Sequence, residues 1–238
     1  MKNNGPHARE TTAGRSSFWL CLIAGFLLAG MAALGAVEYA LTDGNLFRQA
    51  VVKYVDLEGL GVSAGDGESF AAMTIAYLRG DLSQWSPAIS MGGKPMPIPA
   101  AFAAHMASVR GGVALGRTLL LIGIPLALCL LAAALLGRVG KARLSFSVRG
   151  YYLGAAIPLC ALAALGGWAC ADFDSLWAWL HATFIPDGIF SAAEPIMQLF
   201  PITLFQAYLA PVGVAFGIFL GIALALPAAL SPLSRRAS

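Results

Sequence analysis

Apolar residues in this chain gather into long unbroken runs instead of alternating with polar ones. Residues 16–37, 118–137, 151–171 and 202–230 contain no Asp, Glu, Lys or Arg. Each run reaches the ~20 residues with which a helix crosses ~30 Å of hydrocarbon. The pattern therefore predicts four transmembrane helices. Lys2, Arg9 and Arg15 precede the first run and "ALGA" resembles a cleavage site. The run is nevertheless longer than the 7–15 apolar residues of a secretory signal, so it reads as a span.

Between the runs the period changes. "NLFRQAVVKYVDLEGLG" and "ESFAAMTIAYLRG" read as short amphipathic pieces. From Gly80 to Pro99 come Trp85, Pro87, Pro95, Pro97 and a Gly-Gly pair, which predict an irregular loop. After Pro99, Phe102, His105, Met106 and Val109 fall at i, i+3, i+4 and i+7, one stripe of a short helix. In "FDSLWAWLHATFIP", Trp177, Leu180, His181 and Phe184 share one face, and Pro186 is expected to end that helix. The expected fold is an all-α integral membrane protein with four transmembrane helices. A long extracytoplasmic segment of short amphipathic helices joins spans one and two.

Composition agrees: 58% of the 238 residues are hydrophobic and 11% charged, against about 25% charged in soluble domains. The placement of the charges orients the chain. Lys2, Arg9, Arg15, Arg138, Lys141, Arg143, Arg149, Arg235 and Arg236 lie outside the spans in three segments whose one acid is Glu10. Short basic segments stay in the cytoplasm. The expected order is a cytoplasmic segment 1–15, spans at 16–37 and 118–137 around an extracytoplasmic segment 38–117, and a cytoplasmic basic loop 138–150. A third span at 151–171, an extracytoplasmic segment 172–201, a fourth span at 202–230 and a cytoplasmic tail 231–238 follow. This distribution accounts for the net charge of +3 without a nucleic-acid partner. Cys21, Cys129, Cys160 and Cys170 all lie in the spans without metal-ligand spacing and read as packing residues.

This topology sets His105 and His181 on one side, each on the apolar stripe of a helix at the outer interface. Trp168, Trp177 and Trp179 suit the aromatic belt at that depth. Ionisable groups there usually mark function. Gly213, Gly217 and Gly221 form a GxxxGxxxG ridge suited to close helix contact, and Pro125, Pro158 and Pro211 are expected to interrupt their spans. The chain has no phosphate loop, metalloprotease motif, Gly-x-Ser-x-Gly elbow or internal repeat. Three rival classes suit two histidines: bis-histidine haem, a two-histidine metal site completed by Asp174 or Asp187, and a non-enzymatic assembly or transport subunit. The first conflicts with rings beyond the span ends, and the second lacks dense ligand spacing.

The order "YLRG" (77–80), "HMASVR" (105–110), "FDSLWAWLHATF" (173–184) and "EPIMQLFPITLF" (194–205) resembles that of the bacterial lipoprotein intramolecular transacylases, over about residues 18–230. The resemblance implies an acyl transfer within one lipoprotein. The sn-2 chain of the diacylglyceryl group on the N-terminal cysteine moves to that cysteine's own α-amino group. It implies His105 and His181 as catalytic residues. Arg110, Met106, Asp174 and Phe184, in the same motifs, are expected to help position the substrate. Ser108 stands where the family usually has an acid, and "GIFSAAEP" replaces an expected Trp…Asp-Pro element.

The implied partners are a diacylated lipoprotein and membrane lipid, with no obligate protein partner, no metal and no cofactor. The implied location is the bacterial inner (cytoplasmic) membrane, with both termini inside and the site at the extracytoplasmic interface. Donor and acceptor share one molecule, so the main task is holding a near-attack geometry. An amine attacks the ester directly, and no serine or cysteine nucleophile is required. Moving a proton from an ordinary α-ammonium (~7.7–8.0) to an ordinary imidazole (~6.5) costs roughly 2 kcal/mol, within reach of general base catalysis. The second ring can donate an N–H to the developing oxyanion. Either histidine can fill either role; His181 as base and His105 as donor is the preferred arrangement.

Overall fold

A computed structural model of the chain describes residues 6–139, 142–144, 146–185, 190–191 and 193–236. Gly140, Lys141, Pro186 and Asp187 lie outside the described residues, so the expected stop at Pro186 and the ligand role of Asp187 are not described. Among the described residues the protein is all-α apart from two-residue strand pairs, and four helices are long and apolar enough to cross a membrane. They are α1 (Pro6–Thr42), α4 (Ala100–Leu136), α5 (Val148–Ala171) and α9 (Leu209–Arg236). Between α1 and α4 come α2 (Gly44–Tyr54), α3 (Ala64–Arg79) and a hairpin of β1 (Ser90–Met91) and β2 (Lys94–Pro95). A second hairpin, β3 (Arg138–Val139) with β4 (Ala142–Arg143), follows α4. Between α5 and α9 lie α6 (Phe173–Phe184), α7 (Pro195–Gln198) and α8 (Ile202–Gln206).

Two elements differ from the sequence expectation. The short helix carrying His105 and the span at 118–137 form one continuous helix, α4, of 37 residues. At 1.5 Å per residue it is about 55 Å long, well beyond the hydrocarbon thickness. Gly111 and Gly112 do not break it. Each costs only about 1 kcal/mol relative to Ala, and the neighbouring Ala- and Leu-rich sequence favours helix. The apolar run 202–230, in contrast, is split into α8 and α9. Pro211 lacks an N–H and its ring collides with a carbonyl four residues back, so the helix restarts at Leu209 with Pro211 in its first turn. Pro125 and Pro158 sit inside α4 and α5, which continue through them.

The chain divides into two compact units. One comprises Met1–Gly35, Thr118–Ala164 and Phe216–Ser238. Its core gathers Cys21, Ala24, Leu28, Ala127, Leu131 and Tyr151, and the Tyr151 hydroxyl donates to the Ala223 carbonyl at 2.7 Å. Here α1 and α5 touch through glycine. A Cβ on Gly25 would fall on the Tyr151 carbonyl oxygen, and one on Gly154 on the Leu22 carbonyl oxygen. Among the described residues, a Cβ on Gly213, Gly217 or Gly221 of the ridge would meet nothing within 4 Å. Close packing therefore uses "GYYLG" at 150–154 and leaves the ridge on α9 open.

The other unit, Ala36–Arg117 with Leu165–Ala215, holds the larger aromatic core. Phe47, Phe70, Trp85, Phe102 and Phe200 are buried there, and the Trp85 indole N–H donates to the Thr74 hydroxyl at 3.1 Å. The Asp43 carboxylate caps α2 through the amides of Asn45 and Leu46, and Ser63 caps α3 through Asp66. Both satisfy amides that a helix start leaves bare. Gly92 and Gly93 at φ +57° and +75° turn the first hairpin, a conformation that two-residue β-turns demand and glycine supplies.

Candidate functional site

The site begins at the N-terminal end of α4. Pro99 cannot continue a preceding helix, so α4 starts directly after it and His105 falls in its second turn. Phe102, one turn earlier, lies on the same buried stripe. His105 is only 8% exposed. Its ring is enclosed by Phe102 at 5.7 Å, Phe190 at 5.4 Å and His181 at 5.8 Å between centroids. The two imidazole planes are 23° apart, so the rings lie nearly parallel. Residues 76 apart in the chain thus meet on one site.

His181 comes from the last turn of α6. The Asp172 carboxylate caps that helix through the Ser175 amide at 3.0 Å, which fixes where its turns fall. Trp177 then lies one turn before His181. The His181 Nδ1 is 3.0 Å from the Trp177 carbonyl oxygen. A carbonyl only accepts, so the partner assigns the proton to Nδ1. Nε2 is left with a free lone pair. Trp177 also covers the ring at 4.5 Å and is itself stacked on Phe205 at 4.3 Å. Each such aromatic contact contributes about 0.5–1.5 kcal/mol beyond burial, enough in sum to hold one rotamer.

His105 has the opposite environment. Its Nδ1 is buried without a hydrogen-bond partner among the described residues. Only the Nε2 edge remains for a ligand, and the Nε2–H form leaves that edge a donor. His105 lies thirteen residues before the uncharged span at 118–137. Burial, and after it the facing His181 imidazole, lower its pKa from the ordinary 6.5. The ring is thereby kept neutral near pH 7. One acceptor and one donor, held rigidly in an aromatic enclosure, can remove a proton from one reacting atom and stabilise charge on another.

The remaining candidates sit in other contacts. Met106 is buried in the aromatic core beside Phe102. The Arg110 guanidinium lies 4.9 Å over the Tyr77 ring and donates to the Ser83 carbonyl at 3.3 Å, bracing the loop after α3. Asp174 is in the first turn of α6 and, with Cys170, Phe173 and Gln206, lines a broad open cavity of about 590 Å³. Phe184 is 69% exposed and meets Trp179 edge-on. Ser108, where an acid is usual, is exposed and bonds back to the Ala104 carbonyl. Arg117 pairs with Glu38 at 3.0 Å and donates to the Arg79 carbonyl at 2.9 Å, tying α4 to the end of α1. Among the described residues no three His, Cys, Asp or Glu side chains are grouped to hold a metal ion.

Phe190 escaped the sequence reading. It packs on Phe102 at 5.0 Å as well as on His105, and so closes the enclosure. The available signal was an aromatic residue inside "GIFSAAEP", the segment that departs from the family pattern.

The fold and this pair define a polytopic α-helical membrane protein with two facing imidazoles in an aromatic box. No known protein family matches the chain by sequence, and no curated protein does. Solved structures do. The membrane integral lipoprotein intramolecular transacylase Lit from Bacillus cereus is 13% identical, covers 94% of this chain and 99% of its own, and superposes with a TM-score of 0.70. A histidine-to-arginine variant of Lit is 13% identical over 98% of this chain and 100% of its own, at a TM-score of 0.71. A histidine-to-alanine variant is 14% identical over 94% and 97%, at 0.66. At this identity the likeness establishes a shared fold over nearly the whole of both chains.

Proposed function

We propose that this chain is a lipoprotein intramolecular transacylase of the bacterial cytoplasmic membrane. Its termini lie inside, and the imidazole pair faces the extracytoplasmic interface. The observation that carries this reading is the convergence of His105 and His181, 5.8 Å apart with complementary free edges. The shared fold with Lit supports it.

In the proposed reaction the α-amino nitrogen of the lipoprotein's N-terminal cysteine attacks the sn-2 ester carbonyl. His181 Nε2 takes the proton that the nitrogen sheds. His105 Nε2–H donates to the oxygen on which negative charge develops. As the intermediate collapses, the carbon–oxygen bond to glycerol breaks and the proton held by His181 passes to the departing sn-2 oxygen. An amide forms, a glycerol hydroxyl is released, and no atom is gained or lost. The product is an N-acyl S-monoacylglyceryl lipoprotein. The enclosure of Phe102, Phe190 and Trp177 limits water, and low dielectric strengthens each polar contact.

The test expresses the gene in bacteria that make diacylated lipoproteins and sequences the N-terminal lipopeptides by mass spectrometry. The intact mass stays unchanged while one acyl chain shifts from the glyceryl fragment to the amine. Lipopeptides that keep a free α-amino group and both glyceryl esters, with the protein present in the membrane, would rule the activity out.

A further inference from the structure

Outside the histidine site, most cations of residues 38–117 already have partners. Arg48 faces Glu68 at 3.7 Å, Arg79 donates to the Thr42 carbonyl, Arg110 to the Ser83 carbonyl, and Arg117 pairs with Glu38. Among the described residues, Lys53 has no carboxylate or carbonyl partner; its ammonium rests 5.1 Å over the ring of its neighbour Tyr54. Lys53 also lines a cavity of about 170 Å³ with Leu46, Gln49, Tyr54, Tyr208 and Pro211.

The wall is built by helical spacing. Leu46, Gln49 and Lys53 fall at i, i+3 and i+7 on one face of α2. The opposite side is the turn between α8 and α9, where Pro211 forces the break. Tyr208 is half-buried there, and burial raises its phenol pKa, with the Asp43 charge adding to the effect. The phenol therefore stays a neutral donor. The Asp43 carboxylate itself already holds the amides of Asn45 and Leu46. Lys53, Gln49, Tyr54 and Tyr208, which carry an ammonium, an amide and two phenols, thus line one cavity at the start of a transmembrane helix.

We propose that this cavity binds the phosphate of an anionic phospholipid in the leaflet that meets the start of α9. Its donors suit a phosphate diester, with Lys53 as the counter-charge. Its volume is below the ~300 Å³ of a typical small-molecule pocket, so it takes a headgroup phosphate and leaves the acyl chains outside. Leu209 and Val214 are exposed along the first turns of α9 and offer those chains an apolar path. The site is independent of the transacylase reading.

The full-length protein in detergent would be titrated with dioctanoyl phosphatidylglycerol, dioctanoyl phosphatidylcholine and inorganic phosphate, with retained lipid read by native mass spectrometry. Phosphatidylglycerol should bind best, because its charge is not cancelled by a choline. Lys53→Gln should weaken it about fivefold, the effect of one cation near an anionic leaflet. Lys53→Arg should restore binding, and Lys94→Gln, on the exposed hairpin, should leave it unchanged. Thermal unfolding of each variant confirms that it is folded. Equal retention by wild type and Lys53→Gln, equal loss in Lys94→Gln, or phosphatidylcholine or free phosphate binding as well as phosphatidylglycerol overturns the proposal.

Discussion

His105 and His181 are chemically the same side chain, and their neighbours make them different. The carbonyl of Trp177 gives His181 a fixed proton on Nδ1 and a basic Nε2, whereas His105 has no Nδ1 partner among the described residues and is held neutral by burial. Replacing either with Gln should slow acyl transfer about 10²–10³-fold. The double variant should lose far less than the product of the two, because groups acting as a unit are not additive. The sign of the pH dependence follows from the neutral requirement. A depressed His105 pKa keeps the donor in place down to below 6.5, and the substrate amine is freed as pH rises through ~7.7–8.0. The rate should climb from acid pH and level off above about 8. An optimum on the acid side of 6, or an active single variant at normal expression, would remove the pair from the chemistry. The two rings were legible from their helical stripes. Their surroundings were not, because only folding brings the Trp177 carbonyl to the His181 ring and Phe190 to the His105 ring.

Helix contacts show a similar division between visible and hidden. The sequence contains two ridges of small residues, one on α9 and one at Gly150 and Gly154, and both satisfy the same spacing rule. On the longer ridge, no described residue lies within 4 Å of a Cβ placed on Gly213, Gly217 or Gly221. At Gly154 and Gly25 backbone meets backbone, so any side chain there must push α1 and α5 apart. Gly154→Val should lower the thermal midpoint in detergent by the equivalent of about 1–3 kcal/mol, the usual cost of overpacking. Gly217→Val should change it little. If the two variants lose stability equally, the assigned contact is wrong. The four spans themselves were plain from uncharged runs, since hydrocarbon tolerates few alternatives to a long apolar helix. The fusion of the His105 helix with the second span was not plain: the charge-free run begins only at residue 118, yet an Ala- and Leu-rich sequence carries one helix through Gly111 and Gly112.

At the scale of the whole molecule, the alternation of basic and acidic segments predicts that residues 41–112 face outward and both ends inward. Reporter fusions at Gly65 and at Gly140 should report opposite sides of the membrane; the same side for both would end the four-span orientation. The bare Nδ1 of His105 also bears on how the protein can be altered. A buried polar atom without a partner costs about 1–3 kcal/mol, a sizeable share of the 5–15 kcal/mol that typically separates folded from unfolded protein. An apolar ring at position 105 would remove that cost while keeping the contacts to Phe102 and Phe190. Laboratory selection for heat resistance alone would therefore discard the imidazole early, and would yield a sturdier membrane protein without the proposed donor.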